Sequence, residues 1–186
     1  MSKIDIISGF LGAGKTTLIK KLIAEAYQNE KIVLIENEFG GIIMLIEFRF
    51  KNYRSFRDEA TLSMEATGLG PFKKSLISYG SLNLLPSVAI YGKNGGGKSN
   101  VIRAFWLAVQ FIKNAQRTQH ENAKIPVIPF ALNDYSEDEP TEFEFIYTLD
   151  GIKYWYSFAA TKKKIYKEYL YLSLIHISEP TRHLRI

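Results

Sequence analysis

The chain has 186 residues, 46% of them hydrophobic and 13% aromatic, with a formal net charge of +5, a balance that describes a folded globular protein. It contains no cysteine, which excludes a disulfide framework and any thiolate metal site. Its apolar runs fall short of the roughly 20 residues that a membrane-spanning helix needs. The N-terminus reads as a strand and a glycine-rich loop rather than a signal peptide, so a cytoplasmic protein with no membrane partner is expected.

In chain order, the apolar run Ile4–Ile7 predicts a buried strand. The loop Gly9-Phe10-Leu11-Gly12-Ala13-Gly14-Lys15-Thr16 follows, and Leu18, Ile19, Leu22, Ile23 and Ala26 then recur at helical spacing. Lys31–Ile35 predicts a second strand, closing at Glu36-Asn37-Glu38-Phe39-Gly40. Residues 1–43 therefore predict one βαβ unit, too small to bury its own apolar surface. Its strands would be available to dock on an open sheet edge.

The loop fits G-x-x-x-x-G-K-[ST], and its chemistry explains its composition. Glycines let backbone N–H groups approach crowded phosphate oxygens, and the helix that follows adds the positive end of its dipole. The lysine places a charge at the terminal phosphates, and the Ser or Thr hydroxyl ligates Mg²⁺. Gly12, Ala13, Gly14, Lys15, Thr16 and Thr17 are the candidate nucleotide-binding residues here, with Thr16 on Mg²⁺. The stretches from Gly9 to Leu18 and Glu36 to Gly40 resemble the N-terminus of the CobW family of GTP-dependent metal chaperones. That resemblance implies GTP and Mg²⁺ at this first loop. It ends near Ile42, and the family's cysteine-rich metal motif, later Mg²⁺-binding acid and guanine-reading segment have no counterpart here.

From Met44 the pattern restarts. Ile46, Phe48 and Phe50 alternate with Glu47, Arg49 and Lys51 as a half-buried strand. A polar turn around Tyr53–Asp58 leads into Ala60, Leu62 and Met64, the returning arm of a hairpin. A loop with Gly, Ser and Lys connects to the strand Val88–Tyr91 and to a second complete phosphate loop, Gly92-Lys93-Asn94-Gly95-Gly96-Gly97-Lys98-Ser99. A helix is predicted over Asn100–Gln116, with Val101, Ile102, Phe105, Trp106, Val109 and Ile112 on its apolar face. Ile125–Asp134 reads as irregular. Phe143, Phe145, Tyr147 and Leu149 alternate into Asp150-Gly151, a strong hairpin signal, and Ile152, Tyr154, Tyr156 and Phe158 alternate out of it. The turn Lys162-Lys163-Lys164 reads as a solvated turn in preference to a nucleic-acid patch, and a strand Ile165–Tyr171 follows it.

The opening hairpin, the second loop with its helix, and the stretch from Glu139 to Phe158 together resemble the first lobe of ABC-type, SMC- and RecF-like heads of AAA-family ATPases. The resemblance spans 44–171. It implies ATP and Mg²⁺ held by Asn94, Gly95, Gly96, Gly97, Lys98 and Ser99, with Ser99 on the metal and Asn100 opening the helix. It also implies a parent that hydrolyses ATP and dimerises head to head, with DNA or a nuclease domain as a further partner. Such heads take a metal-holding Asp and a water-orienting Glu from the end of an apolar strand. No such segment follows residue 99, and the family's Ser-Gly signature is absent too, so no catalytic residue is assigned and this chain is expected to bind nucleotide with little turnover. Lys31–Glu38 is the one apolar strand ending in acids, with Glu36 and Glu38 as weak substitutes. Gln116 and Gln119 are candidates for a Mg²⁺-contacting glutamine, though a surface role fits them better.

Leu172 to Arg182 looks like the in-frame translation of a transposase-based sequencing-library adapter, so 172–186 is set apart as a non-native tail and His176 and His183 are given no role. Three segments result: 1–43, 44–171 and 172–186. The junction at Met44 reads either as a misassembly of two genes or as a true fusion. The expected fold class is α/β: an incomplete P-loop NTPase, with an antiparallel β-rich ABC-type lobe and one βαβ unit. ATP binding is the leading function, and GTP binding by a metal-chaperone segment is the alternative.

Overall fold

The computed structural model describes residues 3–5, 33–36, 43–67, 75–114, 125–133, 136–174 and 182–184. The described strands are β1 (Lys3–Asp5), β2 (Val33–Glu36), β3 (Ile43–Lys51), β4 (Ala60–Ser63), β5 (Ile77–Tyr79), β6 (Leu82–Leu84), β7 (Ser87–Tyr91), β8 (Thr141–Leu149), β9 (Ile152–Ala160), β10 (Ile165–Leu174) and β11 (Arg182–Leu184). The described helix, α1, spans Lys98–Asn114, between β7 and β8. The chain is α/β in content, and its described sheets are antiparallel. Six described strands run in the order β11-β10-β9-β8-β3-β4, three as β1-β7-β2, and β5 and β6 form a two-stranded sheet. Among the described residues no helix is long and apolar enough to cross a membrane.

The core follows from period-two alternation. Phe48 and Phe50 of β3, Phe143 and Phe145 of β8 and Phe158 of β9 all point to one face and are buried. α1 covers that face with Ala104, Leu107, Ala108 and Phe111. The two alanines leave room for ring contacts: Phe111 stacks on Phe158 at 4.5 Å between centroids, and Phe105 meets Phe48 edge-on at 5.1 Å. Burying each such ring stabilises the fold by roughly 1.5–3 kcal/mol. β8 and β9 join through Asp150 (φ 50°) and Gly151 (φ 82°), the two left-handed positions of a type I′ turn that Asp-Gly accommodates.

Several expectations are corrected. Ile46 does not share a face with Phe48 and Phe50. The β3–β8 ladder shifts register between Leu45 and Glu47, and this bulge turns Ile46 to the opposite face. There it packs with Met44 and Leu84 beneath Ile77, Tyr79 and Leu82 of the β5–β6 hairpin, a hairpin that lies in the stretch expected to be loop. Tyr53, placed in a polar turn, is 2% exposed and part of the core. The helix starts at Lys98 rather than Asn100, because the Gly97 carbonyl accepts from the N–H groups of Asn100 and Val101 and caps the first turn. β3 begins at Ile43, earlier than the alternation from Ile46 suggests. β10 runs on to Leu174, into the segment set apart as a tail, and β11 pairs back onto it. An open sheet edge accepts any extended segment, whatever its side chains.

Among the described residues, β1 and β2 do not pair with each other. β7 lies between them, antiparallel to β1 (Lys3↔Tyr91, Ile4↔Ile90, Asp5↔Ala89) and to β2 (Val33↔Ile90 through Glu36↔Ser87). The chain therefore leaves β1 and β7 at opposite ends of this sheet, so the two phosphate-loop motifs follow strands that run in opposite directions.

Candidate functional site

β7 is buried from Ser87 to Ile90, so its C-terminal end is a fixed platform. From Tyr91 the chain turns through Gly92 (φ 147°), Gly95 (φ 81°) and Gly97 (φ 85°) into α1. These are backbone positions that side chains strain and glycine adopts freely. The loop closes on itself through a Gly96 N–H bond to the Lys93 carbonyl at 3.2 Å. Asn94 to Asn100 line a cavity of about 260 Å³ at the N-terminus of α1. The first turn of the helix carries no acidic residue, which leaves its dipole available to an anion.

Lys98 is 5% exposed. Its ammonium donates to the carbonyls of Gly92 and Lys93, the latter at 2.7 Å. A buried charge is tolerated only with such partners, and here the partners are the loop's own backbone. Ser99 is exposed beside it, and Gly97 and Asn100 are half-buried. The structure thus brings Asn94, Gly95, Gly96, Gly97, Lys98, Ser99 and Asn100 around one cavity. Gly12, Ala13, Gly14, Lys15, Thr16 and Thr17 lie outside the described residues, as do Gln116, Gln119 and Glu38. Glu36 is described, opposite Ser87. That is the end of β7 away from the second loop, roughly 14 Å along the strand from Tyr91.

The tip of the β3–β4 hairpin is the part of the site that the sequence reading missed. Asn100 donates through Nδ2 to Ser55 Oγ at 2.8 Å. A β-carbon on Gly97 would lie 3.1 Å from the Phe56 ring. The tip is shaped by Tyr53 and Phe56, whose backbones exchange hydrogen bonds at 2.8 and 2.9 Å. Asn52, with φ 53° and 1% exposed, anchors it. The Asn52 amide donates to the carbonyls of Ser136 at 2.8 Å and Glu139 at 3.0 Å, and its Oδ1 accepts from the Phe130 N–H at 3.0 Å. The Thr141 hydroxyl donates to the Asn52 carbonyl at 2.8 Å. The one local signal for this tip was the polar cluster at Tyr53–Asp58, which reads as a turn but does not say what the turn touches.

Comparison with known proteins gives two family matches. Residues 87–182, just over half of the 186 residues, match the model described as "AAA domain, putative AbiEii toxin, Type IV TA system". Residues 3–47 match the model described as "CobW/HypB/UreG, nucleotide-binding domain". Both support nucleotide-binding P-loop segments. Among curated relatives, the zinc chaperone YeiR of Escherichia coli K12 is 48% identical over 42 residues, covering 23% of this chain and 13% of that protein. The zinc chaperone YjiA of the same organism is 49% identical over 39 residues, covering 21% and 12%. The chain thus spans about an eighth of the length of these relatives. No solved structure matches the chain.

Proposed function

Because the chain belongs, through residues 87–182, to the family described as "AAA domain, putative AbiEii toxin, Type IV TA system", we propose that the loop from Gly92 to Ser99 binds ATP with Mg²⁺, and that residues 44–171 are the first lobe of an ABC-, SMC- and RecF-like ATPase head. The observation that carries this reading is Lys98, a buried ammonium held by two loop carbonyls at the mouth of a cavity lined by Asn94–Asn100. The residues present fit a nucleotide. Gly95 and Gly97 hold left-handed turns that let backbone N–H groups face inward, and the helix terminus adds positive potential. Gly95, Gly96 and Gly97 would cradle phosphate through backbone, Asn94 and Asn100 would border it, Lys98 would pair with terminal oxygens, and the Ser99 hydroxyl would ligate the metal. Bound Mg·ATP supplies a phosphoanhydride bond. This chain's own residues bind and orient it, and hydrolysis belongs to a head completed by an Asp-Glu strand end and a second head. In this reading 172–186 is a non-native tail, the protein works in the cytoplasm, and the parent head dimerises, with DNA or a nuclease as its further partner.

The test is Lys98→Ala. Loss of a charge-assisted phosphate contact should weaken Mg·ATP binding at least about tenfold, read by calorimetric titration of the full chain. Unchanged affinity would overturn the assignment.

A second reading is favoured by the match over residues 3–47 and by the two zinc chaperones: GTP with Mg²⁺ at Gly12, Ala13, Gly14, Lys15, Thr16 and Thr17. Lys15→Ala should then remove GTP binding and spare ATP binding. If Lys98→Ala abolishes the binding of both nucleotides, the second reading fails.

A further inference from the structure

The outer face of β9 and β10 carries aromatic rings where a solvated sheet face normally carries polar residues. Trp155 is 43% exposed and Tyr169 38%. The register pairs Trp155 with Tyr171 and Ser157 with Tyr169, so these rings share one face by the period of two. Tyr171 lies 5.7 Å from Trp155 and 6.1 Å from Tyr169 between centroids. The opposite face is occupied differently: there Phe158 enters the core and Tyr156 bonds to Glu168.

Charge brackets the rings. Lys153 and Lys167 fall on the same face, at opposite ends of the aromatic run, opposite Ser173 and Ala159. The carboxylates that share this face on β8 are engaged on their far side, Glu144 by Arg49 at 3.1 Å and Glu142 by Lys51 at 3.8 Å. The Lys162–Lys164 turn leads directly into β10, with the Lys164 ammonium 4.3 Å from the Tyr166 ring centroid. The whole chain is basic, with a pI near 9.2.

We propose that this face is a stacking platform for single-stranded nucleic acid, with Trp155, Tyr171 and Tyr169 taking successive bases and Lys153 and Lys167 the flanking phosphates. Flat rings standing on a sheet stack on unpaired bases, which offer a π-face whatever their identity, whereas bases in a duplex are stacked on each other and withdrawn. A protein partner would match the rings but leave the bracketing lysines without a role.

The experiment is fluorescence anisotropy of a labelled oligothymidylate of about 16 nucleotides, the upper end of site sizes for such platforms, titrated with the full chain in the absence of nucleotide. Trp155→Ala should weaken binding about tenfold, and Trp155→Phe should restore most of it. Lys153→Ala with Lys167→Ala should lower the slope of log affinity against log salt by about 1.4, or 0.7 for each phosphate contact. In a Trp106→Phe background the remaining tryptophan fluorescence should be quenched by the oligonucleotide, a readout that a merely structural role for Trp155 would not produce. Lys98→Ala should bind the oligonucleotide as tightly as the parent chain, which separates this proposal from the nucleotide site. An oligouridylate arm tells DNA from RNA preference. Equal affinity for duplex, an unchanged Trp155→Ala variant, or a concentration-dependent dimer that Trp155→Ala dissolves without any oligonucleotide response would each overturn the proposal.

Discussion

The ring of Phe56 stands where a side chain on Gly97 would go: a β-carbon there would lie 3.1 Å from Cζ and 3.2 Å from Cε2. The hairpin tip therefore sets the width of the phosphate loop, and the loop needs glycine at this position for two reasons, the φ of 85° and the close approach. Gly95 separates them, since its φ is 81° but nothing lies within 4 Å of its would-be β-carbon. Alanine at either position meets a left-handed backbone cost of about 1 kcal/mol. Gly97→Ala should lose on the order of 1 kcal/mol more through crowding, read by urea denaturation, and Phe56→Leu in the same chain should recover part of it. Equal stability of the two alanine variants would show that Phe56 places no constraint on the loop.

Asn52 is the anchor of that tip, and its amide faces carbonyls. Asn52→Asp keeps the shape but replaces two donated bonds, to Ser136 and Glu139, with repulsion between oxygens. The expected loss is about 3 kcal/mol, in the range for a buried charged group left unsatisfied. Asn52→Gly tolerates the φ of 53° and should lose less. Proteolysis of the segment from Phe130 to Pro140 should rise in both variants. A native protease pattern in Asn52→Asp would show that the segment is held by other contacts.

What the sequence made legible follows from the range of each interaction. The second phosphate loop, the strand before it and the helix after it are written in one contiguous stretch, Ser87 to Asn114, and the phenylalanine alternation and the Asp150-Gly151 turn are equally local. The bulge at Leu45–Glu47 is not visible locally, because register is decided by the partner strand. The bonds of Asn52 reach residues 78 to 89 positions away, and Ser55 meets Asn100 across 45, so the turn was readable and its purpose was not. The placement of β1 and β2 on either side of β7 was foreseen only as an edge-docking option, since backbone hydrogen bonds leave little trace in side-chain pattern.

Tyr156 makes alkaline stability measurable at one group. Burial comes first, then the bond to Glu168 at 2.6 Å and that carboxylate's charge; together they push the Tyr156 hydroxyl well above its usual range. The folded state keeps this proton where the unfolded chain releases it, so the folded state binds more protons above pH about 10. The contribution is fully present below that pH and is lost as pH rises further. Tyr156→Phe should therefore lose less stability than the parent chain between about pH 10 and 11, as read from urea midpoints. Parallel midpoints for the two chains would assign the alkaline limb to other groups.

β7 supports the phosphate loop and has both edges taken by strands from the first 36 residues. A segment resembling a different nucleotide-binding family could be a passenger, in which case its removal would leave the rest unchanged. The pairing argues otherwise: three positions on one side of β7 and four on the other lose their ladder partners if β1 and β2 are removed. Backbone groups so exposed are resolvated rather than orphaned, so the loss per bond is modest. The larger effect is on order, because an unpaired five-residue strand no longer fixes where the chain enters the loop at Gly92. Deleting residues 1–42 should lower the melting temperature by several degrees, at about 2–4 °C for each kcal/mol. Mg·ATP affinity at the second loop should fall in parallel, while the hairpin of β8 and β9 keeps its hydrogen-exchange protection. A deletion chain with the parent's melting temperature and ATP affinity would show that β1 and β2 rest on β7 without supporting it.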